Sequence, residues 1–151
     1  MRTVNDILES KAQPFNIIAP DRLVIDALHM LNSVNLSYLI VMDGDNYKGI
    51  FSERDYSRNV ILKGRTSSTT TVQEVMTTDI PVVQLNDSVE HCINMINTHK
   101  TRYLLACNDA GKVVGVITIH DLLRQVINYK GEFDTTALAH QLIDNDERSV
   151  Y

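Results

Sequence analysis

Apolar positions along this chain keep two rhythms, a helical one and a strand-like one, and they exchange in a fixed order. Val4, Ile7 and Leu8 recur at helical spacing within Thr3 to Lys11, and Pro14 stops that short helix. Phe15 to Ala19 is a brief apolar run that predicts a strand closed by Pro20-Asp21. Leu23, Val24, Ala27, Leu28, Leu31 and Val34 then mark one face of a helix ending near Asn35. Tyr38 to Met42 and Tyr47 to Phe51 predict a hairpin about the turn Asp43-Gly44-Asp45. A helix from Ser52 to Leu62 breaks at Lys63-Gly64, and the polar stretch Arg65 to Thr71 reads as a linker.

The same order then returns. Val72 to Met76 predicts a short helix, Val82 to Leu85 a strand, and Asp87 to His99 a helix with Val89, Ile93 and Ile96 inward. Tyr103 to Cys107 and Val113 to Ile117 flank the turn Asn108-Asp109-Ala110-Gly111, and Thr118 to Asn128 forms a last repeat helix. Beyond it, Thr135 to Ile143 predicts one more short helix, with Asp144 to Tyr151 polar and frayed. This tail is expected to be a contact for a second copy or a partner.

Shifting the sequence by 66 residues lays Gly49-Ile50-Phe51-Ser52-Glu53-Arg54-Asp55 on Gly115-Val116-Ile117-Thr118-Ile119-His120-Asp121. The same offset is expected to run without a gap from Asp21 on Asp87 to Val60 on Val126, with Leu39 on Leu105. The chain therefore reads as two β-α-β-β-α units of a mixed α/β (α+β) fold, packed about a pseudo-twofold axis to cover the apolar face each leaves open. The expected division is residues 1–64 for the first repeat with its N-terminal helix, 65–71 for the linker, 72–130 for the second repeat and 131–151 for the tail.

Composition narrows the function classes. At 151 residues, 44% apolar and 22% charged, the chain is ordinary for a globular protein. Its apolar runs fall far short of the roughly 20 residues of a membrane span, and its first thirty residues lack a signal-peptide core, so a cytoplasmic location is expected. A net charge of −5 argues against wrapping nucleic acid. Cys92 and Cys107 form no Cys-x-x-Cys pair and the histidines no ligand pair, so no metal site is expected. There is no nucleophile elbow, P-loop or pair of catalytic carboxylates, and no catalytic residue or catalytic cofactor is expected.

Chemistry concentrates in the repeated segment. Each copy ends a strand with Gly-apolar-apolar, starts a helix with a hydroxyl, Ser52 or Thr118, and places Asp55 or Asp121 three residues on. First-turn amides and the positive helix end suit a phosphate, and the carboxylate can accept hydrogen bonds from both hydroxyls of a ribose. The same pattern also makes a capping box, worth roughly 1 kcal/mol per helix, and capping and binding can coexist. Arg54 and Arg58 lie one helical turn apart and, with Arg102, are candidate phosphate contacts, against the alternative that they decorate a solvated face. Where the first copy has Glu53-Arg54 the second has Ile119-His120. The first therefore looks suited to a polyphosphate or dinucleotide and the second to a monophosphate, with His120 a candidate pH-sensitive contact.

The doubled Gly-h-h-[Ser/Thr]-x-x-Asp segment resembles that of the cystathionine β-synthase (CBS) domain pair, also called a Bateman module, over about Val4 to Tyr129. Ser52-Glu53-Arg54-Asp55-Tyr56-Ser57-Arg58 followed by Lys63-Gly64-Arg65 is similar to small stand-alone bacterial members. The resemblance implies a disc-like pair of units with two clefts, regulatory rather than catalytic, binding AMP, ADP, ATP or NAD(H), and usually a homodimer that signals to an effector protein. It assigns ribose to Asp55 and Asp121 and the hydroxyl position to Ser52 and Thr118. It also implies an adenine slot of apolar strand residues, matched here by Ile17, Ile18, Tyr38 and Ile50 in one copy and by Val82, Val83, Leu104 and Val116 in the other. The competing expectation is a dimerisation or structural module that binds no ligand.

Overall fold

The computed structural model describes residues 2–11, 16–132 and 135–148. Two compact units emerge, residues 14–79 and residues 1–13 with 80–151. In the first unit, β1 (Ile17–Ile18) runs parallel to β2 (Tyr38–Asp43), which pairs antiparallel with β3 (Asn46–Ser52). Helix α2 (Val24–Val34) crosses between β1 and β2, and the chain leaves β3 through a short helix α3 (Glu53–Asp55). The helix predicted for Ser52 to Leu62 thus starts as expected but widens at Tyr56, continuing as a π-helical stretch Tyr56–Ile61. Period-2 alternation turns Leu39, Val41 and Phe51 toward the helix side, where they pack with Ile18, Val24, Ala27, Leu31 and Val60.

The second unit repeats this plan. Its strands β4 (Val82–Gln84), β5 (Tyr103–Cys107) and β6 (Val113–Thr118) form the sheet, while α5 (Val89–His99) and α6 (Ile119–Asn128) cover it. Val83, Leu104, Ala106 and Ile117 meet Cys92, Ile93, Ile96, Leu122 and Val126 in its core. The predicted β-α-β-β-α order is therefore present twice.

Register corrects the alignment of the two copies. Ile17 pairs with Ile40 and Val82 with Leu105, a shift of 65, whereas Ser52 and Thr118 stand 66 apart as the partners of Tyr38 and Tyr103. The extra residue lies in the second hairpin: Met42 faces Tyr47, but Cys107 faces Val113. Leu39 therefore corresponds to Leu104, not to Leu105. A one-residue slip moves a side chain to the opposite face of a sheet, so the gapless alignment inverted the second copy's middle strand.

The short first helices also sit differently from the order of the sequence. α1 (Val4–Ser10) packs on the second unit: the Val4 amide donates to the Asp87 carbonyl at 2.9 Å and the Asn5 amide to Leu85 at 3.0 Å. α4 (Val72–Val75) makes the matching bonds in the first unit, from the Val72 amide to Arg22 at 2.8 Å and from Gln73 to Pro20 at 3.0 Å. Within each unit the helix that opens a sequence repeat thus caps the sheet of the other repeat. The stretch expected as a linker is tied down as well, with Thr70 and Ser67 carbonyls accepting from the Val24 and Ile25 amides of α2 at 2.9 Å each.

The tail departs from expectation. Instead of fraying after Ile143, α7 (Thr135–Arg148) runs on, burying Leu142 and Asn145. Leu142 joins the second unit's core, Asn145 donates to the Gln141 carbonyl and the Asn97 side chain, and Asp146 pairs with Arg102 at 2.9 Å. Leu138 and Leu142 pack on the core of its own unit, while Ile143 is 46% exposed. Residues 149–151 lie outside those described. No described helix is long and apolar enough to cross a membrane.

Candidate functional site

The end of β3 and the start of α3 bring Ser52 and Asp55 together. Ser52 has extended backbone and accepts the Asp55 amide on its Oγ at 3.3 Å, while Asp55 Oδ2 accepts the Ser52 amide at 2.8 Å and its hydroxyl at 3.0 Å. The remaining oxygen, Oδ1, accepts the Thr77 hydroxyl at 2.8 Å. At 6% exposure this carboxylate is nearly out of water. Burial pushes its pKa above the usual carboxylate range, against the hydrogen bonds from Thr77 and Ser52 and the field of Arg58, which pull it down.

The second corner has the same frame with different neighbours. Asp121 Oδ2 accepts the Thr118 amide at 2.9 Å, and Thr118 Oγ1 accepts the Asp121 amide at 3.2 Å. Lys11 Nζ donates to Asp121 Oδ2 at 2.9 Å and to the Val116 carbonyl at 2.8 Å, and Arg124 reaches Oδ1 at 3.2 Å. Asp121 is 5% exposed and meets two cations directly, where Asp55 takes its hydrogen bonds from two hydroxyls and an amide.

Both corners are capping boxes, and a third stands at the start of α1, where Thr3 and Asp6 exchange the same reciprocal bonds. Asp6 is half-exposed, and the Thr3 amide holds its pKa below the usual value. Capping geometry alone therefore does not single out a ligand site. Burial together with additional partners from a distant segment distinguishes Asp55 and Asp121 from Asp6.

The glycines before these corners serve close approach of the first helices. A Cβ on Gly49 would stand 2.7 Å from the Thr77 carbonyl oxygen, and one on Gly115 would stand 2.6 Å from Leu8 Cδ2. Thr77 and Lys11 thereby arrive beside Asp55 and Asp121. Both were absent from the sequence-based candidates, because each follows a short helix whose pairing with the other repeat's sheet leaves no periodic trace.

The adenine-slot candidates divide. Ile17 and Val82 are edge-strand residues with 47% and 46% exposure, and Ile50 and Val116 are buried members of the same cross-strand rows. The side chains of Ile18, Val83 and Leu104 instead belong to the helix-side cores, so of these residues only the main chain faces elsewhere. With the corrected register, the counterpart of Tyr38 is Tyr103, which opposes Thr118 as Tyr38 opposes Ser52. Arg102 is turned to Asp146 and lies 6.0 Å from the Tyr103 ring centroid. Arg54 is half-buried, while Arg58 and His120 are exposed.

Among the described residues no cluster of three or more His, Cys, Asp or Glu could hold a metal ion. Cys92 is buried within a core, and desolvation raises its thiol to about 12, so it is inert at neutral pH.

The raised pKa of Asp55 has a testable sign. An acid that is harder to ionise in the fold favours the folded state below its unfolded pKa of about 3.9, and that advantage is lost as pH rises through the folded value. The stability of Asp55→Asn relative to wild type is expected to rise from pH 4 to pH 7, as read by urea unfolding. A relative stability that falls over this range would show that the carboxylate is not penalised.

Residues 4–61 and 72–128 match the CBS domain. The chain is similar to the crystal structure of the CBS domain NE2398, with 34% identity and a TM-score of 0.77 over 83% of this chain and 98% of that one. It is also similar to CBSX2 solved in complex with AMP, with 26% identity and a TM-score of 0.69 over 86% of this chain and 99% of that one. A curated relative, the mitochondrial CBS domain-containing protein CBSX3 of Arabidopsis thaliana, is 25% identical over 135 residues, 83% of this chain, which spans 65% of that protein's length.

Proposed function

The chain belongs to the CBS domain family, as a pair of CBS repeats and hence a regulatory module, and from that premise we propose that it senses an adenosine nucleotide. The ligand class is AMP, ADP, ATP or NAD(H). Ser52 with Asp55, and Thr118 with Asp121, are the corners that receive it. The observation carrying this reading is that each corner holds a nearly dry carboxylate at the start of a helix, in a family of which one similar member is solved with AMP. A carboxylate has about four acceptor positions, and at each corner three are in use, so ribose hydroxyls add to or exchange with side-chain donors that are already present.

Ligand binding favours one of two conformations of the protein, and an effector protein reads the difference. Ile17 and Tyr38 in one copy, and Val82 in the other, are the strand residues offered to the adenine. The protein acts as a homodimer without catalysing a reaction.

One observation supports a second reading. The Thr3–Asp6 corner shows that this sequence uses the same box for capping alone, and a ligand-free structural module would need nothing more. Calorimetry with AMP, ATP, NAD and NADH separates the two readings. The sensor binds at least one of them, with a melting shift equivalent to about 2.7 kcal/mol at 100 times its Kd, and Asp55→Asn or Asp121→Asn weakens that binding. No binding by any of them, with unchanged melting, leaves the structural module.

A further inference from the structure

At the Thr118–Asp121 corner the carboxylate meets a cation that arrives from 110 residues away in sequence. Lys11 follows α1 directly, and α1 is fixed to this unit by its amide bonds to Asp87 and Leu85 and by Leu8 against Gly115. Its side chain is 24% exposed: the stem is largely covered and the ammonium reaches both the Val116 carbonyl and Asp121. Those two bonds use two of the three N–H donors of an ammonium. Arg124 adds a second cation on the other carboxylate oxygen, so one negative charge faces two positive ones. At the other corner, Ser52 and Thr77 supply neutral donors to Asp55.

We propose that Lys11 is a specificity-determining residue of the second corner, selecting a nucleotide that carries phosphate over the bare nucleoside. The inference rests on the nucleotide-binding reading above and extends it to a residue outside the repeated motif. A ribose hydroxyl that takes Asp121 Oδ2 competes with the Lys11 ammonium. A nucleoside offers that ammonium only neutral acceptors, hydroxyl oxygens and ring nitrogens, whereas a phosphate accepts through a charged oxygen in a stronger, charge-assisted bond. Arg124 is 70% exposed and the lesser contributor, while the position of Lys11 is set by α1 and by the Val116 carbonyl.

The test is calorimetric titration of the full chain with AMP and with adenosine, carried in an Asp55→Asn background so that the second corner is read alone. Lys11→Met is expected to weaken AMP binding about 10-fold or more, the range for a hydrogen bond to a charged group, while adenosine changes less than about 2-fold. Lys11→Arg is expected to keep most of the preference, and Lys11→Gln to lose it. Equal changes for AMP and adenosine, or none for either, overturn the role of Lys11. If the Asp55→Asn protein binds no AMP while wild type does, the second corner takes no ligand and the inference falls alone. If wild type binds neither compound, the nucleotide reading falls and the inference with it. Melting curves of each variant identify loss of fold, and Lys11→Gln provides the uncharged comparison if Lys11→Met does not fold.

Discussion

Asp121→Ala is expected to lower the unfolding free energy by about 3 kcal/mol, and Asp55→Ala by about 1 kcal/mol. Each substitution removes the reciprocal half of a capping box, at about 1 kcal/mol: Ser52 or Thr118 still accepts the amide of residue 55 or 121, but its own amide loses the carboxylate. The difference arises from what is left behind. Without Asp121, the Lys11 ammonium keeps only the Val116 carbonyl, and a partly covered cation loses its counter-charge. The exposed Arg124 adds little, because surface ion pairs contribute at most about 1 kcal/mol. Without Asp55, the exposed Arg58 loses only a screened attraction, and removal of a carboxylate that burial disfavours offsets part of the lost bonds from Ser52 and Thr77. Urea unfolding of the two variants at pH 7 measures this, and equal losses would show that Lys11 makes no net contribution at its corner.

The second large effect concerns the glycines. Gly49→Ala is expected to cost about 3 kcal/mol, and Gly115→Ala about 1 kcal/mol or less, although the added methyl group finds a neighbour at a similar distance in each. At Gly49 the neighbour is the Thr77 carbonyl, 2.7 Å away, which is fixed by accepting the Ile50 amide at 2.9 Å, with Met76 Sδ 3.0 Å from the same point. Backbone must shift, and with it Thr77, whose hydroxyl serves Asp55. At Gly115 the neighbour is the end of the Leu8 side chain, 2.6 Å away, which can change rotamer. Gly49→Ala should therefore also weaken nucleotide binding at the first corner. Comparable losses in the two variants would mean that the Thr77 carbonyl yields as easily as a leucine methyl.

The architecture was legible where local periodicity and one repeat register sufficed. Val24, Ala27 and Leu31 on one helix face, and Leu39, Val41 and Phe51 on one strand face, follow directly from spacing. So did the pairing of Ser52 with Asp55 and of Thr118 with Asp121, since three residues across a helix start bring hydroxyl and acid together. The middle strand of the second copy was misread because a single added residue in its hairpin leaves composition almost unchanged while reversing the faces, placing Leu104 in the core and Leu105 opposite. The exchange of α1 and α4 between the sequence repeats was invisible for another reason: it is fixed by backbone bonds such as Val4 to Asp87, which carry no sequence signature. Lys11 and Thr77 were missed with it. The length of α7 was underestimated because its last turns are polar, yet Asn145 and Asp146 are held by Asn97 and Arg102 of its own unit.

A crystal structure of the protein grown with AMP tests the central claim most directly. The expected result is a ribose whose hydroxyls donate to Asp55, to Asp121, or to both, within about 3 Å, with the phosphate toward the neighbouring helix start. AMP bound with its ribose away from both carboxylates, each still holding only its present partners, would contradict the account.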